Sequence, residues 1–142
     1  TRLRWLRETL AKANDHQVYL FMHHPPFDIG IPSVDRLGLG ADGRKMSEVL
    51  ADFTNIRHLF FGHVHRPIAG SWRGIPYSTL RGTNHQVPLD FEAVEVVPKS
   101  HEPPAYAVVF LDDGQTTVHF HDYLDTSRLI YEKVSEGRPN RG

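Results

Sequence analysis

Two short apolar segments with a helical segment between them limit the fold of this 142-residue chain more than any other feature. The first, residues 17–22, is β-prone and ends at residues 23–26, where His-His-Pro-Pro follows and proline cannot continue a strand. The second, residues 56–61, ends at Gly62. Residues 44–53 carry apolar side chains at helical spacing. Because the first segment is apolar on both faces, it predicts a buried strand of the parallel type, and the order and lengths of the three segments predict a βαβ unit with parallel strands.

The other segments extend this unit into an α/β fold that ends in antiparallel hairpins. Residues 3–13 show the spacing of an amphipathic helix, and residues 27–43 are expected to form a loop. Strands are predicted at residues 68–72, 75–80, 92–97, 105–111 and 116–123, with turns at Arg73-Gly74 and Asp112-Asp113-Gly114. We predict one domain over residues 1–134 and a frayed polar tail over residues 135–142.

Composition and charge exclude several classes of function. The chain has 39% hydrophobic and 23% charged residues and a formal net charge of -1, which gives no sign of a nucleic-acid polymer or a membrane surface as a partner. It has no cysteine, so disulfides, thiolate zinc sites and cysteine nucleophiles are excluded. The apolar runs are too short to span a bilayer and none has the form of a signal segment, which predicts a cytoplasmic protein.

Histidines stand where both predicted parallel strands end. His23 follows the first strand, and His63 and His65 follow the second strand after Gly62. The carboxyl ends of parallel strands meet at one edge of a sheet, where α/β proteins bind their ligands. If residues 62–65 are extended, His63 and His65 project to the same side. Because neutral imidazole is a good ligand for Zn, Fe, Mn or Co, the sequence predicts a metal site at this edge.

Other motifs give weaker or negative signals. His119 and His121 have the same spacing as His63 and His65, but they lie in an amphipathic strand with no partner segment, so we expect no metal there. The chain has no Gly-x-Ser-x-Gly elbow, no phosphate-binding Gly-x-x-x-x-Gly-Lys loop and no His-Glu-x-x-His helix. A serine hydrolase, a nucleotide-binding loop protein and a zinc protease of that type are therefore not predicted.

Three motifs together resemble a known family. Phe-Met-His-His-Pro-Pro at residues 21–26, Phe-Gly-His-Val-His at residues 61–65 and Gly-Thr-Asn-His-Gln-Val-Pro at residues 82–88 are similar in order and separation to the C-terminal half of the calcineurin-like metallophosphoesterases. Within that superfamily the chain is most similar to the bacterial class III cyclic-nucleotide and glycerophosphodiester phosphodiesterases. The resemblance implies the C-terminal half of a four-layer αββα sandwich. It also implies hydrolysis of a small phosphodiester by a metal-bound hydroxide in the parent enzyme.

The resemblance also implies roles for individual histidines. His23 and His63 would bind the second ion of a binuclear centre of Fe, Mn, Zn or Co, and His65 would bind the first. His23 is preferred to His24 because the related purple acid phosphatases are similar at that position. His85 would face the phosphate without binding a metal and would donate a hydrogen bond to a phosphoryl oxygen.

The sequence departs from the family in one important respect. The family also uses Asp-x-His, Gly-Asp-x-x-Asp and Gly-Asn-His-Asp/Glu motifs, and these are not found in the 142 residues. Two cations held close together repel each other unless a carboxylate bridges them, so at most one ion is expected in this chain alone. Three hypotheses follow. The chain is one half of an active enzyme and is inactive alone, or a mononuclear metal-binding module without catalysis, or an assembly half that needs a partner chain or forms a homo-oligomer.

Overall fold

A computed structural model describes residues 2–131 of the chain. The elements are α1 (Arg2–Lys12), β1 (Val18–Met22), α2 (Pro32–Asp35), α3 (Ala41–Ala51), β2 (Ile56–Phe61), β3 (Ile68–Trp72), β4 (Ile75–Thr79), β5 (Tyr106–Asp112) and β6 (Gln115–His121). The tail predicted at residues 135–142 lies outside the described residues. Among residues 2–131, no helix combines the length and the apolar character that crossing a membrane requires.

The main sheet has four strands in the order β1-β2-β4-β3. β1 and β2 are parallel, with Met22 paired to Phe61 at their carboxyl ends. β4 is parallel to β2 and antiparallel to β3, which it joins through the predicted turn at Arg73 and Gly74. The βαβ prediction and the first hairpin prediction are therefore confirmed. The mixed sheet follows from a tight hairpin attached beside a parallel pair.

The helices α1 and α3 pack against one face of this sheet. Leu10 of α1 is buried together with residues of α3 and β2, which confirms the amphipathic helix predicted for residues 3–13. The buried members of this core are Leu10, Val49, Leu50, Ile56, Leu59 and Phe61. Full burial of each large apolar side chain stabilises the fold by about 1.5–3 kcal/mol. This core fixes the positions of β1 and β2, at whose ends the candidate site lies.

Strand β1 is less buried than its sequence predicts. Phe21 is 74% exposed, although its ring stacks on Phe60 of β2 with a centroid distance of 4.6 Å. The prediction that β1 is buried on both faces is therefore wrong. Within the described residues, β1 lies at the edge of the sheet and pairs only with β2. An open apolar cleft between α1 and β1 extends from Trp5 to His23.

The second sheet is the hairpin of β5 and β6. It turns at Asp113 and Gly114, as predicted, and Gly114 has φ 78°, a value that favours glycine. Asp113 in the turn accepts a hydrogen bond from Gln17, just before β1, at 3.4 Å. At the other end of the hairpin, Arg81 pairs with Asp122 at 2.6 Å. The structure is thus α/β, with a mixed sheet and a separate antiparallel sheet.

Two local predictions are wrong. Residues 92–97 do not form a strand, because the Asp90 carboxylate accepts hydrogen bonds from the backbone N–H groups of Glu92 and Ala93 at 2.8 and 2.9 Å. These bonds turn the chain where an extended strand was expected. The predicted loop at residues 27–43 contains α2 and the first turn of α3, which begins at Ala41 rather than at residue 44.

Substitution of Gly43 by alanine tests how closely α3 packs against the loop after β1. A Cβ atom at Gly43 would lie 2.4 Å from the carbonyl oxygen of Pro26, and backbone atoms on both sides leave little room for adjustment. Alanine is normally favoured over glycine in a helix by about 1 kcal/mol. We expect the clash to outweigh this gain, so that Gly43→Ala lowers the free energy of unfolding in urea by about 1–3 kcal/mol.

The matched control is Glu48→Ala, at an exposed position of the same helix, which should change the free energy of unfolding by less than about 0.5 kcal/mol. An increase in stability for Gly43→Ala would show that the loop after β1 is free to move away from α3.

Candidate metal centre

The candidate site lies at the carboxyl ends of β1 and β2. The Gly62 N–H donates a hydrogen bond to the Met22 carbonyl at 3.2 Å, so the parallel pairing continues one residue past β2. His23 and His63 follow directly on either side. A Cβ atom at Gly62 would lie 3.1 Å from Nδ1 of His23, so glycine allows the His23 ring to approach the backbone closely.

Three imidazole rings converge at this point. His23, His24 and His63 each offer a ring nitrogen, and these nitrogen atoms all lie within 4.8 Å of one another. The centroid of the His24 ring is 4.1 Å from that of His63, and the His23 and His63 centroids are 5.5 Å apart. Small shifts of the rings would place three nitrogen atoms around one ion, and three protein ligands with an open position are typical of catalytic zinc.

The His63 ring makes a hydrogen bond through one nitrogen only. The backbone of Val34, in α2, hydrogen bonds to the His63 ring, while Nε2 is buried and has no hydrogen-bond partner. Nδ1 is therefore the donor to the Val34 carbonyl. Metal-binding histidines usually donate one N–H to a carbonyl or carboxylate in this way and bind the ion with the other nitrogen. A buried unpaired nitrogen is costly without a ligand, so His63 fits a metal well.

The segment around Val64 is strained. His63 and His65 have φ values of 60° and 48°, in the left-handed region that side chains other than glycine rarely adopt. Each such residue costs about 1–2 kcal/mol. Val64 between them is fully buried and packs with Ile31, Val34 and Val87. The prediction that residues 62–65 are extended is wrong, and burial of Val64 stabilises the turn that replaces the extended segment. Strain of this kind clusters at functional sites.

His65 lies on the other side of this turn, beside His85. Its Nδ1 is 2.7 Å from the His85 carbonyl oxygen, and the two ring centroids are 4.4 Å apart. A Cβ atom at Gly82 would lie 2.8 Å from His65 Nδ1, so glycine is required for this approach. With Nδ1 bonded to a carbonyl, Nε2 of His65 is the nitrogen that could bind a metal.

The loop that carries His85 is held by a buried glutamine. Gln86 is 1% exposed, and its amide group accepts a hydrogen bond from the Gly82 N–H and donates one to the Gly82 carbonyl, each at 2.8 Å. The paired bonds close the loop at residues 82–86 into a fixed turn. Gln86 thereby keeps the His85 carbonyl and ring next to His65.

Burial and mutual charge favour neutral rings in the group. Burial lowers the pKa of His24, and the positive charge of His23 lowers it further. Burial also lowers the pKa of His63, as do the charges of His24 and His23, and these effects exceed the opposing effect of the Val34 bond. A ring with a lowered pKa is unprotonated at neutral pH and is ready to bind a metal without releasing a proton.

The structure thus brings together part of the predicted set. His23 and His63 meet as expected, but His24, which was not chosen, lies in the same group. His65 is outside this group and neighbours His85. The ligand roles of His23, His63 and His65, and the phosphate contact of His85, stay predictions.

The outer face of β6 carries the two remaining histidines of interest. His119 packs edge-on against Phe110 and His121 against Tyr106, each with centroids 5.1 Å apart, and neither belongs to the convergent group. The sequence offered one overlooked signal for His24, namely its position directly before two prolines that fix the chain direction. It offered none for α2, which supplies the carbonyl bound to His63.

Comparison with known proteins gives relatives of one kind, although no family model matches the chain. The chain is 44% identical over 119 residues to a probable cyclic nucleotide phosphodiesterase of Rhodopseudomonas palustris, covering 83% of this chain and 43% of the relative. It is 32% identical over 123 residues to a probable glycerophosphodiester phosphodiesterase of Arcobacter nitrofigilis, covering 87% and 45%. This chain belongs to the calcineurin-like metallophosphoesterases.

A third relative is named as a phosphodiesterase without the qualifier "probable". The chain is 33% identical over 142 aligned positions to the 3′,5′-cyclic adenosine monophosphate phosphodiesterase of Escherichia coli, covering 96% of this chain and 48% of the relative. The resemblance to the phosphoesterases that the three motifs indicate is therefore confirmed. The chain spans less than half of the length of each of these relatives.

The convergent histidines of this phosphoesterase chain should bind one metal ion. We expect a titration with Co²⁺ at pH 7, followed by visible absorption, to show one bound ion. His63→Ala should weaken the affinity for Co²⁺ by at least about 100-fold, because loss of a group that only hydrogen bonds to a ligand already weakens metal affinity by about 10–100-fold. Because the pKa values of His24 and His63 are lowered, the affinity should fall only as the pH drops below the usual histidine range near 6.5. His119→Ala is the matched control and should bind Co²⁺ unchanged. Equal loss in both variants would contradict the assignment.

Removal of the Gln86 amide should loosen the loop beside His65. Gln86→Leu leaves the half-buried N–H and carbonyl of Gly82 without partners, which should lower the free energy of unfolding by about 1–2 kcal/mol. The His65 and His85 ring signals in NMR spectra should shift in the folded fraction. Thr83→Ala, at an exposed position of the same loop, should leave both unchanged. Unshifted ring signals in Gln86→Leu would show that other contacts hold the loop.

Proposed function

We propose that this chain supplies the imidazole half of a binuclear, metal-dependent phosphodiesterase that hydrolyses cyclic nucleotides or glycerophosphodiesters. The observation that carries this proposal is the convergence of His23, His24 and His63 at the carboxyl ends of two parallel strands. The names of the relatives support the reaction class, since they are phosphodiesterases of these two kinds.

The histidines divide into two positions in this proposal. His23 and His63 hold one ion, with His24 close enough to join or replace His23, and His65 holds the other. The free Nε2 of His63 and the carbonyl bond to Nδ1 of His65 support these assignments. When bound, two metal ions polarise the phosphoryl group and activate water, so the protein needs no nucleophilic side chain of its own.

His85 acts on the phosphate rather than on a metal. Its ring stands beside His65, and the bonds of Gln86 to Gly82 fix the loop that carries it. From there the ring N–H donates to a phosphoryl oxygen and orients the substrate. A donor held in place before the substrate arrives loses little entropy when it binds.

The missing ligands come from polypeptide beyond the described residues. Among residues 2–131, the convergent group contains imidazoles only, and two cations without a bridging carboxylate repel each other. The open edge of β1, with Phe21 74% exposed and Trp5 65% exposed, is an apolar surface that a further strand could cover. We infer a four-layer αββα sandwich in which residues 1–134 form one unit of the C-terminal half.

A second candidate is favoured by the same three histidines. A group of three imidazoles is sufficient for a single ion, so the chain alone could be a mononuclear metal-binding module without catalysis. The two candidates differ in the number of ions bound and in the need for carboxylates from another segment. A small phosphodiester as the ligand and a cytoplasmic location remain predictions.

A chimera separates the two candidates. The segment of the Rhodopseudomonas palustris relative that this chain does not match would be fused before residue 2, and metal content and hydrolysis of cyclic AMP and glycerophosphodiesters would be measured. We expect about two ions and hydrolysis in the chimera, with one ion and no hydrolysis in the chain alone. His63→Ala in the chimera should abolish hydrolysis, whereas His119→Ala should retain it. One ion and no hydrolysis in the chimera would favour the mononuclear module, and full activity of the chain alone would overturn the proposal.

A further inference from the structure

A cationic segment lies against the loop that carries His85. Gln86 and Ser100 form an antiparallel bridge with both backbone hydrogen bonds at 2.9 Å. In this register His101 stands opposite His85, and Lys99 lies two residues before His101 on the same side of the chain. Burial lowers the pKa of His85, and the nearby His65, Lys99 and His101 lower it further.

The surrounding acidic groups do not neutralise this segment. Glu102 accepts a hydrogen bond from Ser100 Oγ at 3.1 Å and pairs with Arg81 at 3.7 Å, so it is directed to other partners. Within residues 2–131, Lys99 has no carboxylate within ion-pair distance. A lysine without a carboxylate partner beside the His85 loop attracts anions.

We infer that Lys99 and His101 form an anion subsite beside the metal centre, which binds a phosphate oxygen of the phosphodiester substrate or of its phosphomonoester product. The identity of that ligand rests on the proposed function, whereas the anion binding does not. Lysine presents three donors on a flexible stem and binds phosphate as a point charge. His85 neighbours His65 and, through the Gln86–Ser100 bridge, the segment of Lys99 and His101, so a phosphate held at His85 would be within reach of both.

An anion subsite gives Lys99 a phosphate-dependent effect on stability that an ordinary exposed lysine lacks. With no anion present, Lys99→Gln should change the melting temperature little, because Lys99 is exposed. Inorganic phosphate should raise the melting temperature of the unmodified chain by about 2–5 °C at several times its dissociation constant, and this shift should be lost in Lys99→Gln. Lys99→Arg should retain it. Lys12→Gln, at the end of α1, is the matched control and should respond to phosphate like the unmodified chain.

The experiment is a thermal melt with chelator present, at constant ionic strength, with chloride, inorganic phosphate or dimethyl phosphate. Stabilisation by both phosphate compounds assigns the subsite to the diester substrate, and stabilisation by inorganic phosphate alone assigns it to the product. An equal response of Lys99→Gln and the unmodified chain, or no response in either, would overturn the inference. Because these melts contain no metal, a failure of metal binding would count against the proposed function and leave the result for the subsite intact.

Discussion

The parallel pairing of β1 with β2 is the constraint on which the candidate site depends. It places the residues after Met22 and Phe61 side by side, so that His23 and His63 meet without any dedicated contact between their loops. The helices on one face stabilise this pairing through a shared core. A change that shifts β1 by one residue against β2 would turn His23 to the opposite face and separate it from His63.

The strained turn at residues 62–65 shows how the fold maintains a functional geometry that the backbone disfavours. Two residues in the left-handed region cost a few kcal/mol together, and full burial of Val64 offsets about that much. The apolar partners of Val64 come from the region of α2 and from Val87, and the same two segments supply the backbone groups that bond to His63 and His65. The same packing therefore stabilises the turn and orients both rings.

Local patterns in the sequence predict the elements well where the structure depends on neighbours in the chain. The strands before His23 and Gly62, the helix over α1 and the hairpins at Gly74 and Gly114 all follow from spacing and turn residues. The errors arise where distant contacts decide. Asp90 bends a segment that has strand-like residues, and the edge position of β1 exposes Phe21. The presence of His24 in the group depends on the path of the chain after β1, for which the two following prolines are the one local signal.

In the proposed binuclear centre, charge explains why the imidazole half would need carboxylates from a further segment. Imidazoles bind a cation without cancelling its charge, so a first ion at His63 leaves a positive centre that attracts phosphate and repels a second ion. In the inferred anion subsite, Lys99 would strengthen both effects on the side of His85. Because carboxylates are negatively charged, carboxylates from a further segment would reduce the repulsion between the two metal ions and would also weaken the attraction for phosphate. In this proposal the carboxylates would hold the two metal ions together, and the cationic side chain beside His85 would restore the attraction for phosphate that the carboxylates weaken.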